Sequence, residues 1–142
     1  MFDERRFALN VLADILGGGM SSRLFQRIRE EMGAAYYVNA TADLYSDHGT
    51  VAMAAGASHE KLDRVIEAGL EEFERFKSEK VSALELRRAI NHLLANFFLS
   101  LETSDEIGYF YALQEILKIK ILTPDAVARK IETFKADDIQ SV

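Results

Sequence analysis

The sequence has no cysteine, no tryptophan, one proline and three histidines in 142 residues. Without cysteine there is no disulfide framework, no thiolate nucleophile and no cysteine-ligated zinc or iron–sulfur centre. With Pro124 the lone proline, long uninterrupted helices are permitted almost everywhere else. No apolar run reaches the ~18 residues of a membrane span. The N-terminal stretch MFDERRFALN is charged where a signal peptide would be apolar. Positive charge is also in short supply. Seventeen Lys and Arg against 23 Asp and Glu leave a net charge of −6, a poor match for a nucleic-acid phosphate backbone. What is present is a hydrophobic fraction of 49% and an aromatic fraction of 10%, enough for one globular domain with a sizeable core.

Apolar spacing predicts a first helix capped by Asp3 and running to about Leu16, with Phe7, Val11, Leu12, Ile15 and Leu16 inward. Gly17, Gly18 and Gly19 stop it. Ser21 or Ser22 is placed to cap a second helix, about Arg23 to Glu31, striped by Leu24, Phe25 and Ile28. Gly33 ends that helix, and the period changes from helical to alternating. Between Tyr36 and Tyr45 one side reads Tyr36, Val38, Ala40, Ala42 and Leu44, and the other Tyr37, Asn39, Thr41, Asp43 and Tyr45. The turn cluster SDHG (46–49) and a second short strand at 50–57 complete an expected antiparallel hairpin. Ser58 then opens a helix to about Ser78, with Leu62, Val65, Ile66, Gly69, Phe73 and Phe76 inward. Ser82-x-x-Glu85 and Thr103-x-x-Glu106 have the form of capping boxes that open two more helices. Thr123 before Pro124 and Asp125 opens another. The tail DDIQSV reads as the start of a strand. The fold class is therefore α+β, helix-rich, with a small antiparallel sheet packed against helices.

Candidate chemistry is sparse. His48, His59 and His92 are scattered. His59-Glu60-Lys61-Leu62-Asp63 has Asp63 where H-E-x-x-H requires a second imidazole, so it reads as a solvated first turn. The stretch GGGMSSR precedes a helix but lacks the spacing of a phosphate-binding loop, and a tight helix–helix corner accounts for it. Ser21 and Ser22 have no nearby histidine and no nucleophile elbow. Arg29 and Tyr36 are more suggestive. A return from helix end to strand could bring a guanidinium and a phenol to one edge, a donor set suited to a peptide carbonyl or an oxyanion. The residues alone also fit a plainer reading, the commoner one, in which Arg29 pairs with a carboxylate and Tyr36 is core.

The segment LNVLADILGGGMSSRLFQRIREEMGAAYYVNA (9–40) resembles the pitrilysin/insulinase family of zinc metallopeptidases, which includes the mitochondrial processing peptidases. The match runs from a helix through a glycine corner, S-S-R-L-F-Q and R-E-x-x-G to a tyrosine that opens a strand. The stretch SALELRRAINHLLANFFLSLETS (82–104) resembles a later part of the same domain. Ala34 departs from the leucine common in the family at that position.

The resemblance implies a LuxS/processing-peptidase-like metallohydrolase fold, and places this chain with the domain type that lacks H-x-x-E-H. That domain closes over an unfolded peptide, while zinc is expected in a partner domain or subunit and none in this chain. Residues 1–142 would form one partial domain, truncated at its N-terminus, with opening strands upstream of Met1. By the same resemblance Arg29 and Tyr36 are the candidate catalytic residues, acting in trans on the scissile carbonyl. Ser22, Arg23, Tyr37 and Asn39 are the candidate substrate-binding residues. Expected partners are the zinc-bearing domain, a peptide substrate and, through a bare sheet edge, a second copy of this chain. Neither nucleic acid nor membrane is expected, and the location is taken as bacterial cytoplasm or periplasm. The alternative within the family is a structural core subunit without protease activity. A helical binding module that carries this loop by chance is the reading outside it.

Overall fold

Helix α1 (Arg5–Gly17) buries Phe7, Val11, Ile15 and Leu16, the stripe that its sequence spacing predicts. The computed structural model describes residues 5–45 and 47–142; the expected Asp3 cap and Ser46 of the first turn lie outside them. After the glycine corner the chain forms one helical turn at Arg23 and Leu24 and then a π-helix, Phe25–Glu31. Its wide turns show in the Met32 N–H, which bonds the Arg27 carbonyl five residues back at 3.0 Å. Leu24 and Ile28 are fully buried along it. No side chain caps this helix, so the expected serine cap is not made.

Strands β1 (Ala35–Leu44) and β2 (Gly49–Ala57) form an antiparallel hairpin. Val38 and Ala40 face the core, and Tyr37, Asn39, Thr41 and Asp43 face out. Helix α1 crosses the inner face so closely that a Cβ on Gly17 would lie 2.2 Å from the Ala40 nitrogen. Only glycine permits that approach. A short 3-10 turn, His59–Lys61, leads into α2 (Leu62–Ser78). Its buried stripe is Val65, Ala68, Gly69, Glu72 and Phe76, whereas the expected inward residues Leu62 and Ile66 are 43% and 46% exposed. The rotation has a polar cause. Glu72 is fully buried because its Oε1 accepts hydrogen bonds from Arg27 at 2.8 Å and Arg75 at 2.7 Å. On the same stripe Gly69 leaves room for the Met53 side chain of β2.

Helices α3 (Ala83–Leu99) and α4 (Ser104–Ile116) open with the two capping boxes the sequence predicts, at Ser82/Glu85 and Thr103/Glu106. Helix α5 (Pro124–Glu132) follows a Thr123 cap with proline in its first turn. The tail is helical, not the expected strand: α6 (Ala136–Gln140) tucks Ile139 into the core, 1% exposed. The result is a helix-rich α+β arrangement with a two-stranded sheet packed against α1.

Candidate functional site

The corner between the π-helix and β1 gathers the residues of interest. Gly33 takes φ +54°, the left-handed conformation that ends the helix, and the Ala34 N–H closes the turn on the Ile28 carbonyl at 2.9 Å. The Lys61 ammonium donates to the Gly33 carbonyl at 2.8 Å and ties the corner to the start of α2. The chain then enters β1 through a bulge. Ala35 pairs with Ala57 and Tyr37 with Gly56, so Tyr36 has no cross-strand partner. An unpaired residue breaks the alternation of faces. Tyr36 and Tyr37 both point outward, and Tyr36 is 84% exposed.

Tyr36 therefore does not share the face of Val38 and Ala40, as strict alternation from 36 to 44 would require. Arg29 is also exposed, and its guanidinium carbon lies 4.8 Å from the centre of the Phe25 ring and 6.0 Å from that of Tyr36. These are cation–π distances. Among the described residues Arg29 has no carboxylate partner, and the Tyr36 hydroxyl has no hydrogen-bond partner. The plainer reading, an ion-paired arginine and a core tyrosine, does not hold. The guanidinium and the phenol share one open surface with their donors unspent. A shallow cleft of about 540 Å³ lies beside them, lined by Tyr36, Gly56, Ser58 and Lys61 among others.

The four other candidate residues divide. Tyr37 and Asn39 face solvent on the outer side of the hairpin, the Tyr37 ring filling the space above Gly56 across the ladder. Ser22 is not at a surface. It is 5% exposed, and its hydroxyl is enclosed without a partner. Arg23 is committed elsewhere: its Nε donates to Glu85 at 2.6 Å, and its guanidinium lies 4.3 Å from the centre of the Phe76 ring. Packing removes both from the accessible set, because the turn that holds them is wedged against α2 and α3. The sequence reading missed Phe25, the second ring under Arg29; the four-residue spacing of an aromatic and an arginine on a helix was the available signal.

Metal ligation has no support in the geometry. Among the described residues no group of three or more His, Cys, Asp and Glu side chains could hold an ion. His48 bonds Asp47 at 2.8 Å and stacks on Tyr45. His92 bonds Asp14 at 2.7 Å and meets the Asn96 amide at 3.1 Å. Burial pushes the Asp14 carboxyl above its ordinary value, and the His92 contact only partly offsets this.

Comparison with known proteins matches residues 2–93 to the family described as the peptidase M16 inactive domain. A protein of Rickettsia felis named an uncharacterized zinc protease is 39% identical over 140 residues, spanning 96% of this chain and 33% of that protein. The similarly named protein of Rickettsia bellii is 36% identical over 140 residues, with the same coverage of 96% and 33%. Among solved structures, a conserved protein from Enterococcus faecalis superposes with a TM-score of 0.84 at 25% identity, covering 98% of this chain and 32% of that one. A peptidase M16 inactive domain from Pseudomonas fluorescens shares the fold, with a TM-score of 0.86 at 17% identity over 99% of this chain and 34% of that one. The chain spans about a third of the length of the curated relatives it matches.

Proposed function

The chain belongs to the peptidase M16 inactive-domain family, and from that premise we propose that it is the zinc-free, substrate-enclosing domain of a zinc metallopeptidase acting on unfolded peptides. One observation carries the reading. Arg29 and Tyr36 stand on the same exposed corner, where among the described residues neither has a carboxylate or hydrogen-bond partner, and the bulge at Tyr36 holds the phenol clear of the sheet. The Arg29 guanidinium sits at cation–π distance from the Phe25 and Tyr36 rings, and no carboxylate among the described residues takes up its N–H donors.

The two groups supply donors and no general base. The guanidinium offers up to five N–H donors and the phenol one O–H. Together they would hold the carbonyl of a bound peptide and stabilise the negative charge that develops on its oxygen. The zinc that polarises the scissile bond and activates water would belong to another domain, since these residues do not form a metal site. An extended peptide has the unpaired edges of the hairpin and the cleft beside Tyr36 as surfaces to follow, with Tyr37 and Asn39 exposed on the adjoining face.

In the complete enzyme, Tyr36→Phe should lower turnover of a quenched fluorescent peptide roughly 10²–10³-fold, the scale of losing one oxyanion donor. The circular dichroism spectrum should not change. Undiminished turnover in that variant would remove the catalytic role and leave the domain only the enclosing of substrate.

A further inference from the structure

The cleft beside Tyr36 is cationic in a chain whose net charge is −6. Small residues line most of it, Gly33, Ala34, Gly56 and Ala57 among them, and Tyr36 and Lys61 are the long side chains that border it. Among the described residues no Asp or Glu lines it, and Lys61 is its one charged residue. The ammonium is placed by a tether. Its Nζ donates to the Gly33 carbonyl, 28 positions away, at 2.8 Å. That contact uses one of three N–H donors. Among the described residues no carboxylate pairs with Lys61, although Glu60 and Asp63 stand close to it in the sequence. Lys77 and Lys80, by contrast, spend their charge on Glu74 and Asp137. Ser58 also lines the cleft, and its side chain does not cap the helical turn that it precedes. A lysine already held at one acceptor loses less rotamer freedom on meeting a second than a lysine free in solvent.

We infer that Lys61 is a specificity-determining residue that receives an acidic side chain of the bound peptide, close to the bond being cut. The inference rests on the reading of Arg29 and Tyr36 as the pair that holds the scissile carbonyl, and it adds the chemistry of a neighbouring substrate residue. Tyr36 and Lys61 border one cleft, so a peptide whose carbonyl is held at Tyr36 lays a nearby side chain against Lys61. Side chains on one side of an extended peptide recur about every 6.6 Å, which puts the recognised residue within about three positions of the held carbonyl. The unspent N–H groups of Lys61 and the Ser58 hydroxyl donate to its carboxylate, while Tyr36 and Arg29 stay with the carbonyl. A glutamine at that position accepts the same hydrogen bonds without the charge, and a lysine is repelled. An exposed pair of this kind is worth a factor of about 5 at low salt.

The test uses the complete enzyme and quenched fluorescent peptides with blocked termini. The peptides are identical except for a single Gln, Glu or Lys, placed in turn at each position within about three residues of the bond. At one position the wild type should cleave the Glu peptide with kcat/KM about 5-fold above the Gln peptide, and the Lys peptide less well than either. The preference should fade in about 1 M salt. The ratio between peptides is the readout, because loss of the Gly33 tether alone would slow every peptide equally. Lys61→Arg should keep the ratio, Lys61→Met should bring it to one, and Lys61→Glu should invert it in favour of the Lys peptide. Tyr36→Phe should slow all three peptides and leave the ratio in place, so the two assignments fail separately. A wild type indifferent to Glu at every position overturns the inference. So does a preference for Glu that survives in Lys61→Met or Lys61→Glu.

Discussion

The sharpest test of the packing that positions the corner is Gly17→Ala. The added methyl would stand 2.2 Å from the Ala40 nitrogen, 2.6 Å from the Asn39 carbonyl carbon and 2.8 Å from the Ala40 Cβ. Two of these are backbone atoms of β1 and cannot swing aside. Carbon contacts settle near 3.5–4.0 Å, so the end of α1 must lift from the strand by about an ångström. Overpacking of this kind costs about 1–3 kcal/mol. Helix propensity returns less than its full ~1 kcal/mol, because Gly17 is the last residue of the helix. A net loss of about 2 kcal/mol follows. At ~2.1 cal/mol/K per residue, unfolding entropy for this length converts that to a Tm drop of about 7 °C. The control is Gly108→Ala, the same substitution in open space inside α4, where Tm should rise by ~3 °C. Both are read by thermal melts. A Gly17→Ala melt at or above wild type would refute the close α1–β1 approach.

Other perturbations probe the remaining polar contacts. Glu72→Ala removes the buried acceptor shared by Arg27 and Arg75 and leaves a cavity, and should cost about 2 kcal/mol in urea unfolding, whereas Glu72→Met, which fills the space while Arg27 keeps Glu71 and Arg75 keeps Glu79, should cost about 1 kcal/mol less. Lys118 holds φ +50° just past α4, so Lys118→Gly should raise stability by about 0.5–1 kcal/mol in the same assay. Burial alone would raise the Glu85 pKa, but the Arg23 hydrogen bond and the Ser82 cap outweigh it and hold the carboxyl below its ordinary 4.5. A folded-state value below the unfolded one gives stability that is present above pH 4.5 and is lost as pH falls through the lowered value. Glu85→Gln should therefore flatten the decline of Tm between about pH 5 and pH 3.

Much of this fold is legible where local chemistry decides it. Ser82, Glu85, Thr103, Glu106 and Thr123 mark helix starts because their side chains satisfy the first amide groups directly. The alternation from Val38 onward marks the inner face of β1 for a similar local reason. Readings failed where a distant partner decides. Ser22 looks like a cap but is sealed under a turn held by Arg23, whose partners are 62 and 53 positions away. The face of α2 turned because two arginines, one of them 45 positions away, draw Glu72 inward. The tail resembled a strand because a five-residue helix is too short to show a period. At the corner, a motif suggested that Arg29 and Tyr36 meet, but alternation alone would have sent Tyr36 into the core. Strand periodicity reports faces only while every residue has an opposite number.

That missing opposite number has a consequence for how the corner can change. Because β1 spends one position more than β2 can answer, the tyrosine's aim and the core's registration are set by separate stretches of backbone. Substituting at 36 leaves Val38 and Ala40 where they were. Deleting Tyr36 would set Ala35 and Tyr37 one after the other against Ala57 and Gly56 and close the ladder, again without moving Val38 or Ala40. Changes at this spot, in side chain or in length, thus fall on the exposed corner and not on the core.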